Sequence, residues 1–314
     1  MGDTIHIGKI IKNLRVAAGI SQEDLADSIC TREYLGRIER GVHAPTIDVI
    51  DALSLKLNQN IYELYSLLQK HCDINTHNKI EMMNEYFSYD KISDILPLLE
   101  EYSSSLEFNE GEPFQILMYG YALYYSLALM KYETSIEYSL KGLLSKYGSK
   151  DQIYSLSHHY SNVDMTLMQH LAVNTCRLGD EKGLEMLDFM LNYLFQVLSD
   201  TQYKVNALYQ YEAKVLGSVC YNKYIFLKRL KKQVSDNDFM QLDNTVSLLK
   251  KNKTMFFLPE LLLIRGNIYK QRGKLELSKT DLQIGNAIGS FLYDDNYLNK
   301  IINESTRFSD LEKF

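Results

Sequence analysis

Residues 20–41 carry a regular series of signals that start and stop helices, and no other segment constrains the fold as strongly. The residues concerned are Ser21, Asp24, Thr31 and Gly41, and Gly19 comes immediately before the segment. Glycine commonly ends a helix, serine and threonine commonly cap the first turn, and an acid three residues after the cap completes a box-like arrangement. The series predicts two short helices joined by a tight turn, in which only Cys30 separates the helix ends.

The apolar residues of this segment recur at a spacing that packs two helices together; they are Leu25, Ala26, Ile29, Leu35 and Ile38. The polar side chains then face outward. Arginine donates to guanine, glutamate accepts from cytosine, and tyrosine contacts a thymine methyl group or a phosphate, while helix-start amides and glutamine suit phosphates. Because proteins place one helix in the major groove with this layout, the segment predicts a DNA-binding surface. Its members are Gln22, Thr31, Arg32, Glu33, Tyr34 and Arg37.

The charge of the chain neither supports nor excludes DNA binding. The net charge is −6, and the first 66 residues hold seven basic and nine acidic residues. Binding therefore has to rely on a local basic face rather than on a cationic field. We expect Arg15 and Glu39 to form a structural ion pair between the first and third helices. The alternative for this region is a small helical bundle with an exposed charged helix and no DNA partner.

Helical patterns account for almost all of the remaining chain. Only four prolines occur, and hairpin signals and alternating β-branched runs are absent. A fourth helix is predicted from about Ile47 to Leu57, and a fifth from Asn60 to about Leu68. The polar stretch 69–79 lacks helical periodicity, so we predict a first domain at 1–68, a linker at 69–79 and a second domain at 80–314.

A repeat of helix pairs characterises the second domain. Its sharpest copy consists of Gly266, Tyr269, Gly273, Ser278, Leu282 and Gly285. This order of small and large residues matches the tetratricopeptide pattern, in which small residues let paired helices approach while Tyr269 and Leu282 fill the space between them. A weaker copy contains Ala172, Gly179 and Leu184, and another centres on Ala213. The chain is therefore predicted to be all-α, with a helical solenoid after the first domain.

Residues 7–66 resemble the Xre/Cro-like helix-turn-helix family, which implies a five-helix, lambda-repressor-like domain. The matching residues are Ser21-Gln22, Leu25-Ala26, Ile38-Glu39-Arg40-Gly41 and Pro45. The turn at Cys30 is one residue shorter than the common glycine-containing form. Together with the tetratricopeptide-like repeat, that turn resembles the PlcR-like branch of the RRNPP regulators of Gram-positive bacteria. This resemblance implies a dimeric transcription factor whose C-terminal solenoid binds a short imported signalling peptide.

The first helix of each solenoid pair is expected to line a concave groove. Asparagine and glutamine can pair with both the N–H and the C=O of a peptide, lysine can bind its C-terminal carboxylate, and glutamate a basic residue. Residues at groove-facing spacing are Gln169, His170, Asn174, Asn206, Gln210, Lys214, Glu260, Asn267 and Lys270. Each one alone is more typical of a solvated surface residue, but together they predict a polar peptide-binding groove.

Other functional classes lack a motif in this sequence. No nucleotide loop, Ser/His/Asp set or catalytic carboxylate pair stands out, so we expect no enzyme. The four cysteines are scattered without metal-ligand spacing, so we expect neither a cofactor nor a metal. No leader pattern begins the sequence. The uncharged run from Pro113 to Met130 contains too many polar residues for a membrane span, and a cytoplasmic protein is favoured.

The sequence thus predicts a cytoplasmic homodimer that binds an imperfect palindrome in duplex DNA and is controlled by a signalling peptide, as in quorum sensing. Two alternatives remain open. In the first, the chain would be a ligand-independent repressor of phage or plasmid type that uses its solenoid only for dimerisation. In the second, the solenoid would bind a protein partner.

Overall fold

A computed structural model describes residues 7–57, 59, 61, 65, 74–88, 90–199 and 206–306, without the side chains of 199, 206–210 and 306. Within these ranges the regular structure is helical and no strand occurs, which confirms the predicted all-α class. The chain divides into two compact units, residues 1–120 and 121–314. The predicted boundary at 69–79 lies within the first of them.

The first unit contains short helices connected by tight turns. They are α1 (Ile7–Ala17), α2 (Gln22–Ala26), α3 (Arg32–Glu39), α4 (Ile47–Leu57), α5 (Ile74–Tyr86), α6 (Leu96–Ser103) and α7 (Gly111–Leu123), the last of which extends beyond residue 120. Helix α4 has the predicted bounds. Most of the predicted fifth helix and of the linker lies outside the described residues, and residues 74–79 form the first turns of α5.

The core of the first four helices contains Leu25, Leu35 and Ile38, which the helical spacing selected, together with apolar residues of α1 and α4. Ile11, Leu25, Leu35, Ile38 and Leu53 are each fully buried. Isoleucine and leucine side chains on one face of each helix thus meet in a single cluster, which fixes α3 against α1, α2 and α4. The polar face of α3 is left on the opposite side.

The turn between α2 and α3 differs from the prediction. Helix α2 ends at Ala26, and Asp27–Thr31 connect it to α3. Ser28 has a φ of 64°, and its hydroxyl donates to the Asp27 carboxylate at 3.3 Å. Aspartate and serine offer the backbone such local alternatives to the helix, so the helix stops earlier than its apolar spacing indicates. The prediction that Cys30 alone forms the turn is therefore wrong.

In the second unit, a π-helical turn at Tyr124–Ala128 follows the end of α7. The unit continues with α8 (Tyr132–Tyr147), α9 (Lys150–Ile153), α10 (Asn162–Arg177), α11 (Lys182–Ser199), α12 (Asn206–Arg229), α13 (Asp236–Lys251), α14 (Leu258–Gln271), α15 (Leu275–Leu292) and α16 (Asp295–Thr306). Among the described residues, no helix is long and apolar enough to cross a membrane.

Consecutive helices of the second unit pack against each other in pairs. The pairs are α10 with α11, α12 with α13, and α14 with α15, and the first helices α10, α12 and α14 also pack against one another in series. We call these three helices the inner layer. Helix α16 packs against α14. This arrangement is a helical solenoid, as predicted.

Small residues allow the closest pair of helices to approach. A Cβ placed on Gly266 of α14 would lie 2.9 Å from Cγ of Leu282, and one on Gly285 of α15 would lie 3.1 Å from the Pro259 carbonyl oxygen. Both glycines were predicted to act in this way. Tyr269 instead packs edge-on against Phe239 of α13, with ring centres 5.3 Å apart, so it fills the space towards the preceding pair.

Buried cations connect each pair to its neighbours. Lys223 of α12 is fully buried, and its ammonium group contacts Asp188 of α11 and Asp238 of α13. Arg265 of α14 donates to both carboxylate oxygens of Asp281 of α15, at 2.6 and 2.9 Å, and to Asp243 of the preceding α13 at 2.7 Å. Because an unpaired charge is costly in the interior, each of these contacts stabilises the packing of at least two helices.

We predict that Gly183→Ala destabilises the second unit. A Cβ at this position of α11 would lie 2.5 Å from the Ala172 carbonyl oxygen and 2.8 Å from the Cys176 amide nitrogen of α10. Because both are backbone atoms, the helices have to separate, at a cost of about 1–3 kcal/mol. Thermal unfolding followed by circular dichroism measures the loss.

The matched control is Glu185→Ala, an exposed position two residues further along α11. Its effect should stay within about 0.5 kcal/mol. If Gly183→Ala were as stable as the original protein, the close approach of α10 and α11 would be contradicted.

Candidate functional site

Helix α3 presents a row of polar side chains to solvent. The Thr31 hydroxyl accepts a hydrogen bond from the Tyr34 amide at 3.2 Å and so caps the helix as predicted. Arg32, Glu33 and Arg37 are exposed. Tyr34 is half-buried, with its ring centre 6.1 Å from that of His43. Arg32 and Arg37 therefore present guanidinium donors on the solvent-facing side of a helix of eight residues.

Gln22 makes a contact that the sequence did not predict. Its Nε2 donates to Oε2 of Glu39 at 2.7 Å, so the side chain links the start of α2 to the end of α3. A Cβ on Gly36 would lie 3.8 Å from Oε1 of Gln22 and 3.4 Å from Nη1 of Arg40. Arg40 thus lies beside the predicted surface. Arg40 was not predicted to belong to the DNA-binding surface, because this residue follows the end of α3.

The predicted pairing of Arg15 with Glu39 is present in the structure. Arg15 Nε donates to Oε1 of Glu39 at 2.6 Å and Nη2 to Oε2 at 3.1 Å, and Nη1 donates to the Ile20 carbonyl at 2.9 Å. Burial raises the pKa of the Glu39 carboxyl, but hydrogen bonds from Arg15 and Gln22 and the charges of Arg15 and Lys12 outweigh it and lower the pKa. Glu39 is therefore ionised at neutral pH and fixes Arg15 and Gln22.

We predict that Glu39→Gln loosens α1 and α3. The change leaves Arg15 without its charge partner, at a cost of about 2–3 kcal/mol, because Arg15 keeps some solvent contact and its bond to Ile20. Amide hydrogen exchange of the two helices should accelerate accordingly. Since the folded-state pKa of Glu39 is lowered, the pair's contribution is fully present above the unfolded value of about 4.3 and is lost as pH falls through the lowered folded value.

Glu33→Gln is the control, because Glu33 is exposed on the same helix. It should leave exchange rates unchanged. Equal exchange in the Glu39→Gln protein and the original protein would show that the ion pair does not hold the two helices together.

The predicted groove residues of α10 are largely engaged within the protein. Asn174 is fully buried and donates to Ser135 Oγ at 3.0 Å, while its oxygen accepts from Arg177 at 3.0 Å. Gln169 Nε2 donates to Ser218 Oγ at 2.6 Å. Burial and then the charge of Arg177 lower the pKa of His170 to about 3, so this ring is neutral at neutral pH.

The predicted residues of α12 and α14 are divided between interior and surface. Asn267 is buried and donates to the Leu263 carbonyl at 2.9 Å and to Ser305 Oγ at 3.2 Å. Glu260 is buried, and one of its oxygens accepts from Tyr293 at 2.8 Å. Lys270 and Lys214 are exposed, the latter with its ammonium 4.6 Å from the Phe256 ring centre. The side chains of Asn206 and Gln210 lie outside the described residues.

A cavity of about 230 Å³ opens beside the inner layer. Its lining comes from Val173 and Arg177 of α10, from Tyr221, Asn222, Ile225, Phe226 and Arg229 of α12, and from Tyr297, Lys300, Ile301 and Glu304 of α16. We call this cavity the inner-layer pocket. Of the predicted groove residues whose side chains are described, none lines it. The structure therefore brings together polar residues of the predicted helices, but at other positions.

The pocket residues of α10 and α12 could have been predicted by continuing the groove-facing spacing further along each helix. Arg177 lies three residues beyond Asn174 on the same side of α10, and Asn222, Ile225 and Arg229 continue α12 beyond Lys214. The contribution of α16 has no such signal, because it depends on how the last helix folds back against α14.

Comparison with known proteins supports the two-part architecture. A helix-turn-helix family model matches residues 11–64, which confirms the predicted domain. PlcR from Bacillus thuringiensis, in complex with the peptide PapR7 and DNA, is 19% identical, with 98% of this chain and 99% of that one covered and a TM-score of 0.57. The Streptococcus dysgalactiae SHP pheromone receptor Rgg2 is 16% identical, with coverage of 96% and 99% and a TM-score of 0.54.

ComR from S. thermophilus, in complex with DNA and its signalling peptide ComS, is 18% identical, with 97% of this chain and 99% of that one covered and a TM-score of 0.52. No curated protein sequence matches the chain. At these identities the likeness is one of fold. It confirms, for the fold, the resemblance to peptide-responsive regulators that the sequence indicated.

Proposed function

We propose that this protein is a DNA-binding transcriptional regulator controlled by a short signalling peptide that binds in its solenoid. One observation carries the proposal. A helix-turn-helix domain whose third helix presents two arginines to solvent is joined in one chain to a helical solenoid, and a pocket with charged lining residues lies beside the inner layer of that solenoid.

The DNA-binding half is supported by the exposure of α3. Arg32 and Arg37 are suited to guanine, Glu33 to cytosine, and Tyr34 with the capping Thr31 to the backbone or a thymine methyl group. Gln22, held by Glu39, lies at the start of α2, where phosphates bind. A homodimer would place two α3 helices about 34 Å apart, on the two halves of an imperfect palindrome.

The peptide-binding half is supported by the inner layer and by its structural relatives. PlcR is seen with the peptide PapR7, and ComR with its signalling peptide ComS. We propose that the peptide follows the inner layer past Gln169, His170, Asn174, Lys214, Glu260, Asn267 and Lys270, and past Asn206 and Gln210. Those amides that bond within the protein would exchange their partners for the peptide backbone.

The proposal places the regulator in the cytoplasm and assigns it no enzymatic activity. Its domains are residues 1–68 for DNA and 80–314 for peptide binding and dimerisation, joined by 69–79. Peptide binding changes DNA affinity only if the peptide prefers one arrangement of the two domains over another.

We predict that Arg37→Ala weakens binding to the preferred DNA site by about 5- to 150-fold, the range for one lost bidentate base contact of 1–3 kcal/mol. The site is first selected from a random duplex library with the full chain, and affinity is then measured by fluorescence anisotropy.

Lys279→Ala is the control, because this lysine has the same charge and is exposed on α15, far along the chain from α3. It should leave the affinity within twofold. Equal losses in both variants would mean that net charge alone governs binding, and selection of no preferred sequence would refute specific DNA recognition.

We further predict that one peptide changes that affinity. Synthetic peptides matching the end of any short open reading frame beside the gene are added to the complex of the full chain with the selected DNA, and binding to the chain is measured by calorimetry. The proposal requires saturable binding together with a change of about fivefold or more in DNA affinity, the usual scale of allosteric coupling.

Binding of the peptide without any change in DNA affinity would contradict peptide control. Unchanged occupancy with peptides and with culture supernatant would favour the ligand-independent repressor instead.

A further inference from the structure

Three cations meet one acid in the inner-layer pocket. Arg177, Arg229 and Lys300 line it, and Glu304 is the single acid among the lining residues. The Glu304 carboxylate already accepts a hydrogen bond from Tyr221 at 3.0 Å. No ion pair with any of the three cations occurs within the described parts of the chain. The pocket therefore has an excess of positive charge.

Arg177 differs from Lys223 and Arg265, the two buried cations of the inner layer. Lys223 and Arg265 each contact two carboxylates. The guanidinium of Arg177, although half-buried, donates to two neutral groups, Ser126 Oγ at 2.7 Å and Asn174 Oδ1 at 3.0 Å. Burial and the neighbouring charge of Arg229 lower the pKa of Arg177 while the Tyr132 ring opposes them. Because a desolvated cation with only neutral partners is not compensated in charge, an anionic partner would stabilise Arg177.

We propose that the inner-layer pocket binds a carboxylate group of the peptide through Arg177, Arg229 and Lys300. This inference rests on the proposed function. Guanidinium groups match a carboxylate with two parallel hydrogen bonds. The carboxylate is either the C-terminus of the peptide or an aspartate or glutamate side chain.

The size and the remaining lining of the pocket suit one end of a longer ligand. Its volume of about 230 Å³ is below the roughly 300–1,000 Å³ of sites that enclose a whole small ligand. Val173, Ile225, Phe226 and Ile301 supply apolar surface beside the cations. An apolar side chain next to the carboxylate would fill that part, whereas a phosphodiester backbone has no comparable apolar group.

The test uses the full chain and pools of short random peptides. One pool has a free C-terminus but no acidic side chains, a second is amidated with one aspartate, and a third is amidated without acids. Peptides retained by the protein are identified by mass spectrometry. We expect recovery from the first or the second pool to exceed that from the third by about tenfold, and the richer pool identifies the source of the carboxylate.

The recovered peptides are then titrated against Arg229→Gln and Lys300→Gln. Each change removes one charge-assisted contact and should weaken binding by about tenfold or more. The control Lys279→Gln, exposed on α15, should not. Since Arg229 repels Arg177, Arg229→Gln should keep or raise the melting temperature without ligand, which separates a binding role from a folding role. Equal recovery from all pools, with no effect of Arg229→Gln, would overturn the inference.

A peptide-free measurement distinguishes this inference from the proposed function. Sodium acetate should raise the melting temperature of the original protein more than sodium chloride at equal ionic strength, and the excess should vanish in Arg229→Gln. If no pool is retained while acetate still acts, a peptide as the ligand is contradicted, and only the affinity of the pocket for a carboxylate stands. If peptides bind but acetate and Arg229→Gln have no effect, the carboxylate site fails and peptide control stands.

Discussion

The closeness of consecutive helices is the constraint on which the second unit depends. Gly183 and Gly266 lie where any Cβ would overlap the facing helix, so the distances from α10 to α11 and from α14 to α15 are fixed by backbone and side-chain contact. Lys223 and Arg265 then tie successive pairs together through acids on the outer helices. The inner layer is consequently a row of helices that are each held against their outer partners, and the pocket lies beside two of them.

The charge of their partners divides four cations of the solenoid into two groups: Lys223 and Arg265, which are buried, and Arg177 and Arg229, which are half-buried and exposed, respectively. Lys223 and Arg265 are neutralised by carboxylates and stabilise the fold. Arg177 and Arg229 lie at the ends of α10 and α12 and face a cavity, with neutral hydrogen-bond partners or an aromatic ring beside them. The negative end of each helix dipole favours a cation at that place even without an acid. The fold can thus hold these arginines ready for an anion at modest cost.

Local chemistry explains what the sequence predicted well. The caps at Ser21 and Thr31 depend on hydrogen bonds within a few residues, and both occur as expected. The bounds of α4 and the glycine contacts of α14 with α15 likewise follow from residue type and spacing. The prediction for the turn between α2 and α3 was wrong because the side chains of Asp27 and Ser28 can form local hydrogen bonds that compete with a further helical turn. The spacing of apolar residues carries no information about this competition.

The groove residues show the complementary difficulty. Helical periodicity identified α10, α12 and α14 as inner helices, but it does not tell which turn of a helix a neighbour covers. Asn174 and Asn267 are consequently buried, while Arg177, one turn further, reaches the cavity. Lys300 and Glu304 were not predicted at all, because their place depends on the packing of α16 on α14 rather than on any pattern within α16.

Because α16 lines the inner-layer pocket, the pocket is completed late during synthesis of the chain. Ribosomes release a chain from its N-terminus, and domains fold as units as they emerge. Helices α1 to α4 are complete once residue 57 has appeared, whereas the pocket needs residues up to Glu304. Under the proposed function, α3 would therefore emerge long before the ligand pocket is complete, and the speed at which α16 emerges would set how long an unregulated form exists.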